Sequence, residues 1–185
     1  MKKIIAILLS VLCIVGLFCG CDKKEENAKE KNNFLPYGLE FGMSYDEAKK
    51  LHETLPELEN LASSEGFFCG VEFDEEAYKK LFELSEGDPY LEDIATTSFS
   101  YGFNEDKKLY EFCVISNMTD SEKAVAHLEQ LGEFFEEQTG IECDDLSDGE
   151  ATWEIGDNKI LIVGQTTKDG AQIVIIIHNK KYELS

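Results

Sequence analysis

The sequence predicts an α+β fold, in which a mainly antiparallel sheet of about five strands has helices packed on one face. Two short helical segments come first in residues 34–185, and a strand hairpin, a long helix and three more strands follow. The connections between the strands are short and rich in turn residues, which favours antiparallel neighbours. No repeat or second linker interrupts this part of the chain, so we expect it to form a single domain.

The first two helices are predicted from start signals and apolar spacing. Ser44 and Glu47 form the Ser-x-x-Glu pattern of a capping box. The apolar face expected for this first helix consists of Ala48, Leu51 and Leu55. A second helix is expected from Asp74, although residues 67–73 favour a strand in the same region. The apolar positions of this second helix are Ala77, Tyr78, Leu81 and Leu84.

The longest helix is predicted over residues 120–139. Thr119 and Glu122 have the spacing of another capping box, and Gly140 is a typical residue for the end of a helix. Apolar residues recur at three- and four-residue intervals, so one face of this helix should be buried. The buried face is expected to consist of Ala124, Val125, Leu128, Leu131 and Phe135.

The strands are predicted from residue alternation. In residues 97–103, Thr and aromatic residues alternate with small polar ones, which is typical of a sheet with one packed and one wet face. Residues 109–116 return after a polar connector, so the two segments should form a hairpin. Three further strands are expected at residues 151–155, 159–166 and 171–178.

The last two of these strands are apolar on both faces. Ile160 and Ile162 alternate with Leu161 and Val163, and residues 171–178 repeat the pattern. The long helix can cover only one face, and large exposed apolar patches are unusual on soluble monomers. We therefore hypothesise that part of the second face is open as a partner-binding or self-association surface, unless residues 67–90 cover it.

The N-terminus has the pattern of a targeting segment. Lys2 and Lys3 precede an apolar run over residues 4–18, which is broken only by Ser10 and Gly16. A helix that spans a bilayer core needs roughly 20 apolar residues, so this run of 15 is short for a permanent span. It is typical of the apolar region of a signal peptide.

Leu17-Phe18-Cys19-Gly20-Cys21 resembles the lipobox of bacterial lipoproteins. In that family a cysteine thiol receives a diacylglyceryl group, and the chain is then cleaved on the amino side of this cysteine. The resemblance implies that Cys21 is lipidated, that residues 1–20 are a signal peptide, and that the protein is held on the extracytoplasmic face of the cell membrane. Phe18 and Cys19 depart from the usual pattern, which has Leu and a small residue at these positions.

Residues 22–33 and the overall charge limit the partners. The segment 22–33 is strongly charged and has a single apolar residue, so we expect a flexible tether with an end-to-end distance of roughly 20 Å. The whole chain has a formal charge of −21, which repels phosphate groups. Nucleic acid is therefore not an expected partner. The expected partners are the membrane, through the lipid, and a protein or peptide of the envelope.

Several features of the domain together resemble small α+β lipoprotein modules. These features are the Gly42-Met43-Ser44 helix opening, the hairpin, the long helix and the three strands that contain Trp153. Outer-membrane assembly lipoproteins of the BamE/SmpA type and β-lactamase-inhibitor-like modules have a similar layout. The resemblance implies an architecture and no particular activity.

The sequence has no motif for common enzyme chemistry. A nucleophile elbow, a P-loop, a dinucleotide-binding glycine pattern and HExxH are all missing, so no cofactor or metal is expected. The loop over residues 144–149 superficially resembles an EF-hand, but Leu146 and Ile155 stand where two calcium ligands are required. The histidines are far apart in sequence and are interpreted as structural: His52, His127 and His178.

Besides Cys21, the expected mature chain contains Cys69, Cys113 and Cys143, which allow at most one internal disulfide. A bridge between Cys69 and Cys143 is the predicted pairing if one forms. Cys113 lies between apolar strand residues and is expected to be a buried thiol.

Three functions fit these features. A non-enzymatic binding or assembly module is the leading hypothesis, because it requires only an anchor and a receptive surface. The first alternative is an envelope hydrolase that uses a carboxylate pair, for which the mid-strand acids Glu111 and Glu154 are the candidates. The second alternative is a small solute-binding lipoprotein. A deep polar pocket would favour the alternatives, and an apolar sheet face would favour the first hypothesis.

Overall fold

The computed structural model of the protein describes residues 34–60, 66–72, 74–142, 146 and 149–183. The predicted signal peptide, Cys21 and the tether lie outside these residues. The helices are α1 (Tyr45–Leu51), α2 (Glu75–Leu81) and α3 (Ser121–Thr139). The strands are β1 (Glu59–Asn60), β2 (Phe67–Glu72), β3 (Ile94–Phe103), β4 (Leu109–Met118), β5 (Glu150–Ile155), β6 (Asn158–Thr167) and β7 (Gly170–Asn179). Within the described ranges, no helix is long and apolar enough to span a membrane.

The strands form one open antiparallel sheet in the order β1-β2-β3-β4-β7-β6-β5. The prediction of an α+β fold with an antiparallel sheet is confirmed. The sheet has six strands of six to ten residues and the two-residue β1 at its edge, so the expected number of about five strands is too low. The additional strand is β2, which ends at Glu72, two residues before Asp74, the N-cap residue of α2. Residues 67–81 therefore contain both a strand and a helix.

Helix α3 connects two distant positions in the sheet. The chain leaves β4 at the centre of the sheet and enters β5 at the edge that lies opposite β1. Strands β6 and β7 then return towards the centre, where β7 pairs with β4. In this pairing Val114 lies opposite Ile175. The predicted hairpin and three-strand segment are both confirmed, and their contact buries the centre of the sheet.

The local signals of α1 are confirmed, but its apolar face is not as predicted. The Ser44 side chain accepts from the backbone N–H of Glu47, and the Glu47 carboxylate accepts from Ser44, so the capping box is present. Leu51 is 50% exposed because the helix ends there. Leu55 is buried, but it lies beyond the helix.

Two details of α3 also differ from the prediction. Asp120, not Thr119, caps the helix, because its carboxylate accepts from the backbone N–H groups of Glu122 and Lys123. Val125 is 56% exposed and His127 is fully buried. Hydrophobicity alone assigned Val125 to the buried face, whereas hydrogen bonds allow a histidine to occupy that face. The predicted end of the helix is confirmed, since Gly140 has a left-handed φ of 70°.

The main core contains side chains from all three helices and from one set of alternating strand positions. The Tyr45 ring packs edge-on against Phe103, with ring centroids 5.6 Å apart. Tyr78 of α2 lies against Phe99, and Phe135 of α3 lies 5.4 Å from Trp153. Aromatic contacts therefore join each helix to the sheet.

The strand side chains that alternate with those of the main core form a second, smaller cluster. Its buried members are Cys113, Ile115, Leu161, Val174 and Ile176. These side chains are only 4–8% exposed, so the expectation that this face presents an open apolar patch is wrong. Within residues 67–90, the buried side chains of Tyr78 and Phe82 pack in the main core.

Candidate functional site

A cavity of about 500 Å³ lies where the first described residues meet α2 and the end of α3. We call it the Tyr37 pocket. It is lined by residues 34–38 together with Asp74, Glu76, Ala77, Lys80, Leu81, Glu83, Phe134 and Gln138. The pocket combines aromatic and aliphatic side chains with four charged ones.

Tyr37 is held in an unusual backbone conformation at this pocket. Its φ of 60° and ψ of 15° are left-handed, which costs a non-glycine residue about 1–2 kcal/mol. The hydroxyl of Tyr37 donates to Oδ2 of Asp74 over 2.9 Å, and its ring stacks on His52 with centroids 4.0 Å apart. These two contacts fix the side chain. Burial, the hydrogen bond to Asp74 and the negative charge of Asp74 all raise the pKa of the phenol.

Asp74 supplies a half-buried negative charge to the same pocket. Its Oδ1 accepts from the backbone N–H of Ala77 over 3.0 Å, which makes it the N-cap of α2. This hydrogen bond is the main reason that the pKa of Asp74 is lowered, and the hydroxyl of Tyr37 and the N–H of Glu76 add to the effect. Asp74 is therefore ionised at neutral pH. No lysine among the described residues forms an ion pair with it.

Two unpaired buried polar atoms lie behind the ring of Tyr37. Nε2 of His52 and the hydroxyl of Tyr101 have no hydrogen-bond partner within the described part of the chain, and the two rings meet edge-on with centroids 6.2 Å apart. The other ring nitrogen of His52, Nδ1, lies 3.1 Å from the hydroxyl of Thr54. Burial lowers the pKa of His52, so the ring is neutral near pH 7.

Cys69 lies opposite Tyr101 in the β2–β3 pairing and is also buried. Burial raises the pKa of its thiol to about 12, so the thiol is protonated at neutral pH. A protonated thiol is a poor nucleophile. Cys69 is a free thiol, and the predicted bridge between Cys69 and Cys143 is therefore wrong. Cys143 itself lies outside the described residues. Cys113 is buried and free, as expected.

The structure does not bring the candidate acids Glu111 and Glu154 together. Glu111 lies opposite His178, His178 opposite Lys159, and Lys159 opposite Glu154, so the two acids are three strand spacings apart. This corresponds to roughly 14 Å between their backbones. Glu111 pairs with Nδ1 of His178 at 3.6 Å, and Glu154 pairs with Lys180 at 2.8 Å. Both acids are thus partners in surface ion pairs.

His127 is the centre of a buried network that the sequence did not predict. The Tyr78 hydroxyl lies 2.9 Å from Nε2 of His127, and Gln130 Oε1 lies 2.9 Å from Nδ1. Gln130 in turn donates to Asp88 over 3.0 Å. Burial lowers the pKa of His127. The network joins α2, α3 and the segment before β3, which supports the structural role assigned to His127.

A second cavity, of about 560 Å³, lies between the first half of α3 and strands β6 and β7. Its lining includes the apolar residues Leu128 and Ile173 and the polar residues Gln165 and Thr166. Glu129 is its only charged lining residue among those described. Among the described lining residues this cavity has one charged side chain, whereas the Tyr37 pocket has four.

No group of three or more possible metal ligands is found among the residues that the structure describes. The residues of the Tyr37 pocket are far apart in sequence and form no motif, so only the fold identifies them as a site. A comparison of the chain with models of protein families, with curated proteins and with solved structures finds no match.

Proposed function

We propose that this protein is a lipid-anchored, non-enzymatic binding module on the extracytoplasmic face of the cell membrane. In this proposal Cys21 carries the lipid, residues 1–20 are the removed signal peptide, residues 22–33 are the tether, and residues 34–185 are the binding domain. The observation that carries the proposal is the order of charge, apolar run, Gly20 and Cys21 at the N-terminus.

The position of the Tyr37 pocket supports this proposal. Phe34 lines the pocket and directly follows the proposed tether in the sequence. A flexible tether of twelve residues has an end-to-end distance of roughly 20 Å, which keeps the pocket near the membrane surface. In the proposed architecture all three helices lie on the face of the sheet that carries the main core, as the contacts of Tyr45, Tyr78 and Phe135 indicate.

The environment of the reactive side chains favours binding over catalysis. Glu111 and Glu154 form ion pairs with His178 and Lys180. The carboxyl groups of a glycosidase pair lie about 5–9.5 Å apart and face a common substrate. Here the strand residues His178 and Lys159 lie between Glu111 and Glu154. The thiols of Cys69 and Cys113 are buried, and burial raises the pKa of each.

A small solute-binding lipoprotein is the second candidate function. It is favoured by one observation, the volume of the Tyr37 pocket, which is within the range of small-molecule sites. Like the proposed binding module, such a protein is a lipid-anchored binding protein. It differs from the module only in that its ligand is a small molecule and not a protein or peptide.

Two single substitutions in the full chain test the anchor. Cys21→Ser removes the thiol that would carry the lipid, so this variant should carry no acyl mass and should keep residues 1–20, because cleavage follows lipidation. Cys19→Ser is the matched control, because it changes a neighbouring cysteine and should leave both the lipidation of Cys21 and the cleavage before it intact. Mass spectrometry of both variants checks this, and an acyl group on the Cys21→Ser variant, or its loss in both variants, would contradict the proposed anchor site.

A further inference from the structure

The lining of the Tyr37 pocket indicates which chemical group it can hold. The aromatic rings of Tyr37 and Phe134 and the aliphatic side chain of Leu81 supply apolar surface. Asp74 supplies a fixed negative charge at the point where the Tyr37 hydroxyl meets α2. A carboxylate beside aromatic rings is the usual environment for an organic cation, since the faces of the rings are electronegative.

The net charge of the lining favours a cation. Asp74, Glu76 and Glu83 are acidic and Lys80 is the only basic residue among the lining residues described. Glu76 also forms an ion pair with Lys79 on the same helix. Asp74 is the least exposed of these charged residues, and no described residue forms an ion pair with it.

The hydrogen bonds of Asp74 narrow the choice of cation further. Oδ2 already accepts from Tyr37, and Oδ1 already accepts from the backbone N–H of Ala77. A carboxylate has about four lone-pair sites, and these two bonds together with the one from the backbone N–H of Glu76 leave about one site free. That is fewer than the three N–H donors that a primary ammonium group would bring. A fully alkylated ammonium group has no N–H donor and binds through its charge and through contact with aromatic faces.

On the basis of the proposed binding function, we infer that the Tyr37 pocket binds an alkylated ammonium group of the choline type. The side chain of Asp74 balances its charge, and Tyr37 and Phe134 contact its methyl groups. The group can belong to a free small molecule or to a lipid headgroup, because both present the same chemistry to the pocket.

Titration calorimetry of the full chain in a non-ionic detergent tests this inference. Choline should bind saturably at one site per chain. Its neutral isostere 3,3-dimethylbutan-1-ol, which has the same shape without the charge, should bind about tenfold more weakly or not at all. Ethanolamine should also bind more weakly than choline. No saturable binding of choline, or equal binding of choline and its isostere, would overturn the inference.

A pair of matched variants tests the role of Asp74. Asp74→Asn removes the charge and retains a side chain that caps helices well, so the fold should persist. Choline binding should weaken about tenfold in this variant. Asp120→Asn makes the same change at the N-cap of α3, outside the pocket, and should leave binding unchanged. Equal affinities of the two variants would contradict the inferred site.

A second pair of variants tests the ring of Tyr37. Tyr37→Phe retains the aromatic face and should bind choline, whereas Tyr37→Leu should lose most of the affinity.

Phosphocholine, titrated in parallel, distinguishes the two sources of the alkylated ammonium group. Tighter binding of phosphocholine than of choline indicates a lipid headgroup, and weaker binding indicates a free small molecule that carries the alkylated ammonium group. The mass of the N-terminal peptide of the same sample reports lipidation separately, so failure of choline binding would leave the anchor proposal intact.

Discussion

The hydroxyl of Tyr78 lies 2.9 Å from Nε2 of His127, and both side chains are completely buried. The amide oxygen of Gln130 faces Nδ1 of His127, because the amide nitrogen of Gln130 donates to Asp88. Nδ1 therefore carries the proton and Nε2 accepts from Tyr78. This contact ties α2 to α3, and so it supports the helix that Asp74 caps and the helix that contains Phe134.

Removing the Tyr78 hydroxyl should destabilise the protein, whereas removing the Tyr101 hydroxyl should not. Tyr78→Phe leaves Nε2 of His127 buried without a partner, and should lower the free energy of unfolding by about 1–3 kcal/mol. Tyr101→Phe removes a buried hydroxyl that has no partner among the described residues, so stability should stay the same or rise by about 1 kcal/mol. Urea unfolding of both variants checks this. Similar losses in the two variants would show that the Tyr101 hydroxyl is hydrogen-bonded after all.

His178 should make stability depend on pH in a defined direction. Burial lowers the pKa of His178, but Glu111 and Glu183, which lie beside its two ring nitrogens, outweigh burial and raise it overall. A raised pKa in the folded state means that the protonated ring stabilises the fold below the ordinary pKa of about 6.5. This contribution is lost as the pH rises through the folded-state pKa.

The change His178→Asn isolates this contribution. The free energy of unfolding of the natural protein should exceed that of the variant by more at about pH 6 than at about pH 8.5. Glu183→Gln should reduce the same pH dependence without removing it, because Glu111 still faces the ring. A difference that grows with rising pH would mean that the folded-state pKa is lowered instead.

The thiols of Cys69 and Cys113 should not react in the folded protein. Both are buried, and burial raises the pKa of Cys69 to about 12. In the Cys143→Ser variant, a thiol-specific disulfide reagent at neutral pH should label neither residue until denaturant is added. Peptide mapping identifies the labelled positions. Rapid labelling of Cys69 in the native state would show that the thiol is accessible and would reopen a chemical role for it.

Local signals in the sequence predicted the local structure well. The capping box of Ser44 and Glu47 and the helix end at Gly140 depend on residues that are neighbours in the chain, and both are present. The hairpin of β3 and β4 is confirmed for the same reason. Such signals act over three or four residues and need no knowledge of the rest of the fold.

Features that depend on distant residues were missed. The burial of His127 depends on a contact with Tyr78, which is 49 residues away in the sequence. The hydrophobicity of His127 therefore gave no indication that its side chain is buried. The pairing of β4 with β7 follows from the path of α3 across the sheet. The Tyr37 pocket joins Tyr37, Asp74 and Phe134, whose types and spacing match no motif, and it becomes visible only when the helices are packed.

The central claim is the lipid on Cys21, because it decides where the domain acts. The most direct test is the mass of the N-terminal peptide of the protein purified from the cells that naturally produce it. We predict that the mature chain begins at Cys21 and that this residue carries a diacylglyceryl group. A chain that begins elsewhere, or an N-terminal Cys21 without any acyl mass, would contradict the account.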